Sequence, residues 1–210
     1  MSNRGPIIYI VDDDLSVRRA LALLLKSHGF KVETFMRAAD FLSFKHPKLP
    51  SCLILDIQLP DINGFALQEA MATRQITIPI VFITGHGNIP MSVKAMKAGA
   101  IDFFPKPFIK KKLLSAITQA VVKNKVQIKE QAAISKIKRR IKALSPRELE
   151  VFRLVARGML SKQIARKRGI SLQTIKIHRA RVMQKMQAKT MTELIRFAEK
   201  CGIIPDYTQV

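Results

Sequence analysis

Three carboxylates, a hydroxyl and a lysine in the first half of the chain fall at the ends of short apolar runs. Asp12 and Asp13 follow Ile7-Ile8-Tyr9-Ile10-Val11, and Asp56 closes Cys52-Leu53-Ile54-Leu55. Thr84 closes Ile80-Val81-Phe82-Ile83, and Lys106 follows Ile101-Asp102-Phe103-Phe104-Pro105. Three acids gathered in one place repel one another unless a cation neutralises them. An all-oxygen set of this kind suits a hard, partly hydrated ion such as Mg²⁺. One carboxylate is then free to attack a phosphoryl group and form an aspartyl phosphate. A lysine and a hydroxyl beside it can hold the phosphoryl oxygens as charge shifts.

For these groups to meet, the runs that carry them must lie side by side. Short β-branched runs bounded by turn residues and separated by helical patterns read as parallel strands of βα units. Chemistry in an open α/β sheet collects at the carboxyl ends of the strands, where all five groups fall. Strands are expected near 6–11, 31–35, 51–56, 78–83 and 101–105. Helices are expected near 15–28, 38–44, 63–73, 89–98 and 108–122. Leu21, Leu24, Leu25 and His28 continue one helical stripe, with Gly29 as its stop.

The pattern resembles the receiver domain of two-component response regulators, over about residues 5–122. On that resemblance the fold is a five-stranded, parallel, doubly wound α/β domain of flavodoxin-like type. Asp12 and Asp13 match the acidic pair, Asp56 the phosphoacceptor, Thr84 the switch hydroxyl, Phe103 the switch aromatic, and Lys106 the lysine before Pro107. The stretch Leu55-Asp56-Ile57-Gln58-Leu59-Pro60-Asp61-Ile62-Asn63-Gly64 resembles the loop after the phosphoacceptor, which implies that the Gln58 backbone carbonyl also ligates the metal. Ile83-Thr84-Gly85-His86-Gly87-Asn88-Ile89-Pro90-Met91 and Ala98-Gly99-Ala100-Ile101-Asp102-Phe103 look most like the FixJ-type subgroup. His86 has no partner nucleophile and reads as a loop residue beside the switch.

The chain has 210 residues, room for one large domain and one small one. Its 48% hydrophobic and 25% charged residues are ordinary for globular domains. The apolar runs are far short of a membrane span, and Met1-Ser2-Asn3-Arg4 lacks the apolar core of a signal peptide. Cys52 and Cys201 form neither a disulfide framework nor a metal spacing. A soluble, cytoplasmic protein is expected.

The net charge of +22 is unevenly spread. Residues 1–122 carry 15 Lys and Arg against 9 Asp and Glu, and residues 123–210 carry 22 against 6. A small domain that basic needs a polyanion, with nucleic acid the leading candidate and an anionic membrane the rival. Residues 123–143 form a basic connector in which Ile134, Ile137 and Ile141 recur at helical spacing. It either extends the fifth helix or, because like charges repel, forms a mobile or DNA-facing linker.

The second domain, residues 144–210, opens on a strong helix start. Ser145-Pro146-Arg147-Glu148 supplies an N-cap serine, a first-turn proline and a glutamate placed for a capping box. A second helix is expected over Lys162–Arg168, a glycine turn at Gly169, and a third helix from Leu172 capped by Ser171. Helix, short turn, helix is the helix-turn-helix arrangement. In the third helix Ile175, Val182 and Met186 can pack inward. Thr174, Lys176, His178, Arg179, Arg181 and Lys185 are polar and can face nucleic acid.

This half resembles the LuxR/NarL-type DNA-binding domain, a small all-α fold of four helices, with Met191–Lys200 as the last. By the resemblance Lys176, Ile177 and Ala180 face bases, and Thr174 and Arg179 lie near the backbone. Ala180 can touch a thymine methyl. The whole chain then reads as a FixJ/NarL-type transcriptional response regulator, phosphorylated on Asp56 by a sensor histidine kinase. Movement of Thr84 and Phe103 would re-form the surface of the fourth helix and fifth strand, where the family dimerises, so that two recognition helices address double-stranded DNA. Such a protein is not an enzyme beyond accepting a phosphoryl group and releasing it slowly. The rivals are a DNA-binding protein independent of phosphorylation, and a phosphatase turning over at Asp56. The second would need a spare acid, and Asp14 and Asp61 both look like cap or turn residues.

Overall fold

The computed structural model describes residues 5–203. Five parallel strands form one sheet in the order β2-β1-β3-β4-β5, from β1 (Ile7–Val11), β2 (Lys31–Phe35), β3 (Ser51–Asp56), β4 (Ile80–Thr84) and β5 (Asp102–Pro105). The helices between them are α1 (Leu15–Ser27), α2 (Ala38–Ser43), α3 (Gly64–Thr73) and α4 (Ile89–Lys97). Alternation along the strands divides the core in two. Tyr9, Val11, Leu53, Leu55 and Phe82 pack with Phe41, Leu67, Met71 and Ala95 from α2 to α4. Ile8, Ile10, Cys52, Ile54, Val81 and Ile83 face the other way, against Leu21 and Leu25 of α1. A one-residue slip of any central strand would exchange these faces. Because both faces are covered, β1, β3 and β4 are apolar at almost every position.

The chain divides into two compact units between Lys129 and Glu130. The fifth helix, α5 (Lys110–Lys142), is uninterrupted, which settles the open choice for the connector in favour of helix. Its first turns complete the first unit through Leu113, Ala116, Ile117 and Ala120. That packing continues past residue 122. Asn124 is buried, accepts from the Ser51 amide at 2.9 Å and donates to the Thr77 carbonyl at 3.0 Å. The last turns of α5 join the core of the second unit through Ile137 and Ile141. His28 departs from its expected place: it caps the end of α1 and is exposed, so the inward stripe ends at Leu25.

The second unit contains α6 (Pro146–Ala156), α7 (Ser161–Arg168), α8 (Leu172–Met186) and α9 (Met191–Lys200). Phe152, Ile164, Ile175, Met186 and Ala198 are fully buried at its centre. Each side chain the size of Phe152 contributes about 2–3 kcal/mol by burial. Gly169 ends α7 with φ +62°, a backbone conformation that opens the turn into α8.

Candidate functional sites

The five polar residues converge as their strands do. Val11 pairs with Leu55 and Asp56 pairs with Ile83, so the ends of β1, β3 and β4 are level. One carboxylate oxygen from each of Asp12, Asp13 and Asp56 lies within 4.8 Å of the others. The Lys106 ammonium donates to Asp12 Oδ2 and to Asp56 Oδ2, each at 2.7 Å. Its peptide to Pro107 is cis. Backbone donors fix the two buried carboxylates: Asp14 N–H to Asp12 Oδ1 at 2.9 Å, and Gln58 N–H to Asp56 Oδ1 at 3.1 Å. Asp13 is exposed at the rim. This set offers oxygen donors alone, which suits a hard divalent cation and not a soft one.

Burial pushes the Asp12 carboxyl up, against the opposing pull of Lys106. Burial alone would lower the Lys106 ammonium, but the two carboxylates outweigh it and raise it. The lysine therefore stays charged and holds together acids that would otherwise repel.

Thr84 ends β4 fully buried, and its hydroxyl accepts the His86 N–H at 3.2 Å. Phe103, half-buried in β5, pairs with Phe82. Gly87 connects the two. A Cβ there would stand 3.0 Å from the Phe103 ring and 3.1 Å from the Thr84 methyl. Gly64 is tighter still, since a Cβ would meet the Asp56 carbonyl oxygen at 2.5 Å. Neither glycine was singled out from the sequence; the only local signal was their place in turn-rich loops. Arg18 was missed as well. It donates to the Asp12 carbonyl oxygen at 2.6 Å and braces the acidic pair from α1.

The two spare acids are occupied. Asp14 caps α1 by accepting from Ser16 and Val17 N–H. Asp61 reaches across to cap α2, accepting from Ala38 at 3.3 Å and Ala39 at 2.9 Å; burial by itself would raise its carboxyl, but these and neighbouring backbone N–H groups together outweigh it and hold it below the usual range.

In the second unit α8 buries Ile175, Val182 and Met186 and leaves Lys176, Ile177, Ala180 and Arg181 on the open side. Ile177 is 44% exposed. Gln173 and Gln184 extend the same face and were not anticipated. Thr174 shares a 2.8 Å hydroxyl contact with the N-cap Ser171. Arg179 donates to Ser161 Oγ at 2.8 Å and ties α8 to the start of α7. His178 is half-buried, with its Nδ1 enclosed and unpartnered.

Lys185 is different. Its ammonium lies 2.7 Å from the buried Glu148 carboxylate, an internal partner that its place on α8 did not suggest. Glu148 also completes the capping box with Ser145, whose N–H it accepts at 2.8 Å. Lys185 and then the Ser145 amide hold the Glu148 carboxyl at about 2, below its ordinary 4.5. A depressed folded value stabilises above pH 4.5, and that stability is lost as the pH falls toward 2. With screening of the partly exposed Lys185, the contribution is about 1–3 kcal/mol. Glu148→Gln should therefore melt below wild type at pH 7, and the gap should close between pH 4.5 and pH 2. Calorimetry of the full chain across that range checks it, and a constant gap would count against the ion pair.

Comparison with known proteins agrees with both halves. Residues 8–118 match the family described as "Response regulator receiver domain". Residues 142–198 match "Bacterial regulatory proteins, luxR family". The chain is 42% identical over 203 residues to Nodulation protein W of Bradyrhizobium diazoefficiens, covering 97% of this chain and 89% of that protein. It is 39% identical over 206 residues to Transcriptional regulatory protein FixJ of the same organism, covering 98% and 100%. Among solved structures it is similar to the response regulator StyR, with 43% identity, a TM-score of 0.81, and coverage of 93% of this chain and 99% of that one.

Proposed function

The chain belongs to the two-component response regulators that join a receiver domain to a LuxR-type DNA-binding domain, and we propose that Asp56 is the phosphoacceptor through which it is controlled. A response regulator of this kind is a transcriptional regulator phosphorylated by a kinase. In place of boundaries at 122 and 143, the receiver is taken to run to Lys129, and the DNA-binding unit is taken from Glu130, with the last turns of α5 inside it.

Asp12, Asp13, Asp56 and the Gln58 carbonyl would hold Mg²⁺, which offsets carboxylate and phosphoryl charge when bound. An oxygen of Asp56 forms the new bond to phosphorus as the bond to the donor, a phosphohistidine of a sensor kinase, breaks. Lys106 turns from the carboxylates to a phosphoryl oxygen, and the Thr84 hydroxyl turns toward another. Thr84 and Phe103 both border Gly87, where an added Cβ would meet each, so a shift of this loop is read as the link between the hydroxyl and the ring. This loop leads into α4, whose Ile89, Val93 and Met96 are 79%, 44% and 47% exposed. They recur at helical spacing and form an apolar stripe suited to a phosphorylation-dependent dimer.

Dimerisation would let two α8 helices read half-sites. Lys176, Ile177, Ala180 and the added Gln173 are assigned to base edges, and Arg181, Arg179, Thr174 and His178 to the backbone. Lys185 is left out because Glu148 holds it. No helix among the described residues is long and apolar enough to cross a membrane; the protein is assigned to the cytoplasm. With Asp14 and Asp61 engaged as caps, the site is read as accepting a phosphoryl group and releasing it slowly by itself, not as a phosphatase.

The observation that carries this reading is the pair of 2.7 Å contacts from Lys106 to Asp12 and Asp56, residues 94 and 50 positions away in sequence. Acetyl phosphate with Mg²⁺ should label the wild type, and light scattering should then show a dimer. Asp56→Asn keeps the shape without the nucleophile and should show neither. Equal labelling of both proteins would overturn the assignment.

A further inference from the structure

A groove of about 570 Å³ lies on α6 of the second unit. It is lined by Leu149 and the edge of Leu154, and by Arg147, Arg153, Arg157 and Arg168. The one acid in it, Glu150, pairs with Arg147 at 3.5 Å and with Arg168. Arg153 and Arg157 are exposed and in no ion pair among the described residues. A structural role accounts for two of the four arginines and leaves two.

The groove is not part of the α8 face. Glu148 touches Lys185 of α8, and at about 100° per residue Arg153 and Arg157 lie about 140° and 180° around α6 from Glu148. Arg153 and Arg157 thus point away from the side of α6 that touches Lys185 of α8. The groove's dimensions and apolar lining also suit side chains better than a duplex, which meets protein through phosphates at a broad, polar surface.

We propose that this groove docks an acidic segment of a protein assembled at the same promoter. Two or more carboxylates would pair with Arg153 and Arg157, and a leucine-sized side chain would rest on Leu149 and Leu154. Arginine forks favour bidentate carboxylates, and an apolar anchor ringed by charge is the usual makeup of such a contact.

The test uses the full chain with excess duplex oligonucleotide, so that the DNA face is filled. The probe is a fluorescein-labelled peptide with leucines flanked by glutamates, read by anisotropy. Arg153→Gln with Arg157→Gln should weaken peptide binding by about tenfold or more. Arg196→Gln with Lys200→Gln, exposed on α9 and of equal charge change, should alter it by no more than about twofold. Replacing the peptide leucines by serine should also weaken binding to wild type. Duplex affinity of the Arg153 and Arg157 variant should match that of the α9 variant. Equal peptide loss in both variants would mean diffuse charge attraction, and selective loss of duplex binding would assign the groove to DNA; either overturns the proposal.

Discussion

Gly64→Ala should destabilise the receiver by about 3 kcal/mol and slow phosphorylation by about a hundredfold. The added Cβ would stand 2.5 Å from the Asp56 carbonyl oxygen and 3.0 Å from Ile57 Cα. Both are backbone atoms, so neither can turn aside as a side chain would. The approach is held by the Gly64 N–H, which donates to the Ile57 carbonyl at 2.8 Å. Relief must come from moving α3 or the residues that carry the Asp56 carboxylate. A misplacement of that group by an ångström removes its alignment with the donor and with Lys106. Thermal melting of the full chain and the rate of labelling by acetyl phosphate check the two effects. Unchanged values of both would show that the loop has slack the distances deny.

The second large effect comes from the end of α5. A fragment beginning at residue 143 should be less stable than one beginning at residue 130 by about 3–5 kcal/mol. Ile137 is buried in the helical core with Leu144, Phe152 and Val182. Arg140 donates to the carbonyl of Met186 at 3.0 Å and to the Gln187 side chain, and lies 5.9 Å from the Phe197 ring centre. Met186 ends α8, so its carbonyl has no partner within the helix. Native domains have only about 5–15 kcal/mol in total, so the shorter fragment should lose a large share of its stability. Circular dichroism melts of the two fragments should differ by at least about 12 °C. Near-equal melting temperatures would place α5 outside the domain. The same comparison bears on DNA binding, because α8 is the helix that Arg140 secures.

Stability and chemistry are thus joined at both sites through contacts that sequence distance hides. Asp61 caps α2 from a loop 22 and 23 residues away. Arg140 satisfies a helix end 46 residues on, and Lys185 neutralises Glu148 from 37 residues away. The sequence read Asp61 as a cap or turn acid without showing which helix it serves, Arg140 as a linker cation, and Lys185 as a nucleic-acid contact without its internal partner. Burial and pairing change the role, and neither is a local property.

The sequence by itself determined the strands, the helix starts and the gathering of Asp12, Asp13, Asp56 and Lys106 at one edge of the sheet. Apolar runs of strand length that end in Asp12, Asp56 and Thr84 leave little choice of element or of sheet end, because parallel βα units put every strand's carboxyl end on one side. Ser145 and Glu148 likewise set the start of α6 by local hydrogen bonding. Only the tertiary structure decided the course of α5, the close approach at Gly64 and the partner of Lys185. Along α5, helical spacing of isoleucines and repulsion among lysines oppose each other at similar strength in the isolated segment. Burial of Ile137 against the helical core breaks that balance, and burial depends on residues that only the folded chain brings near.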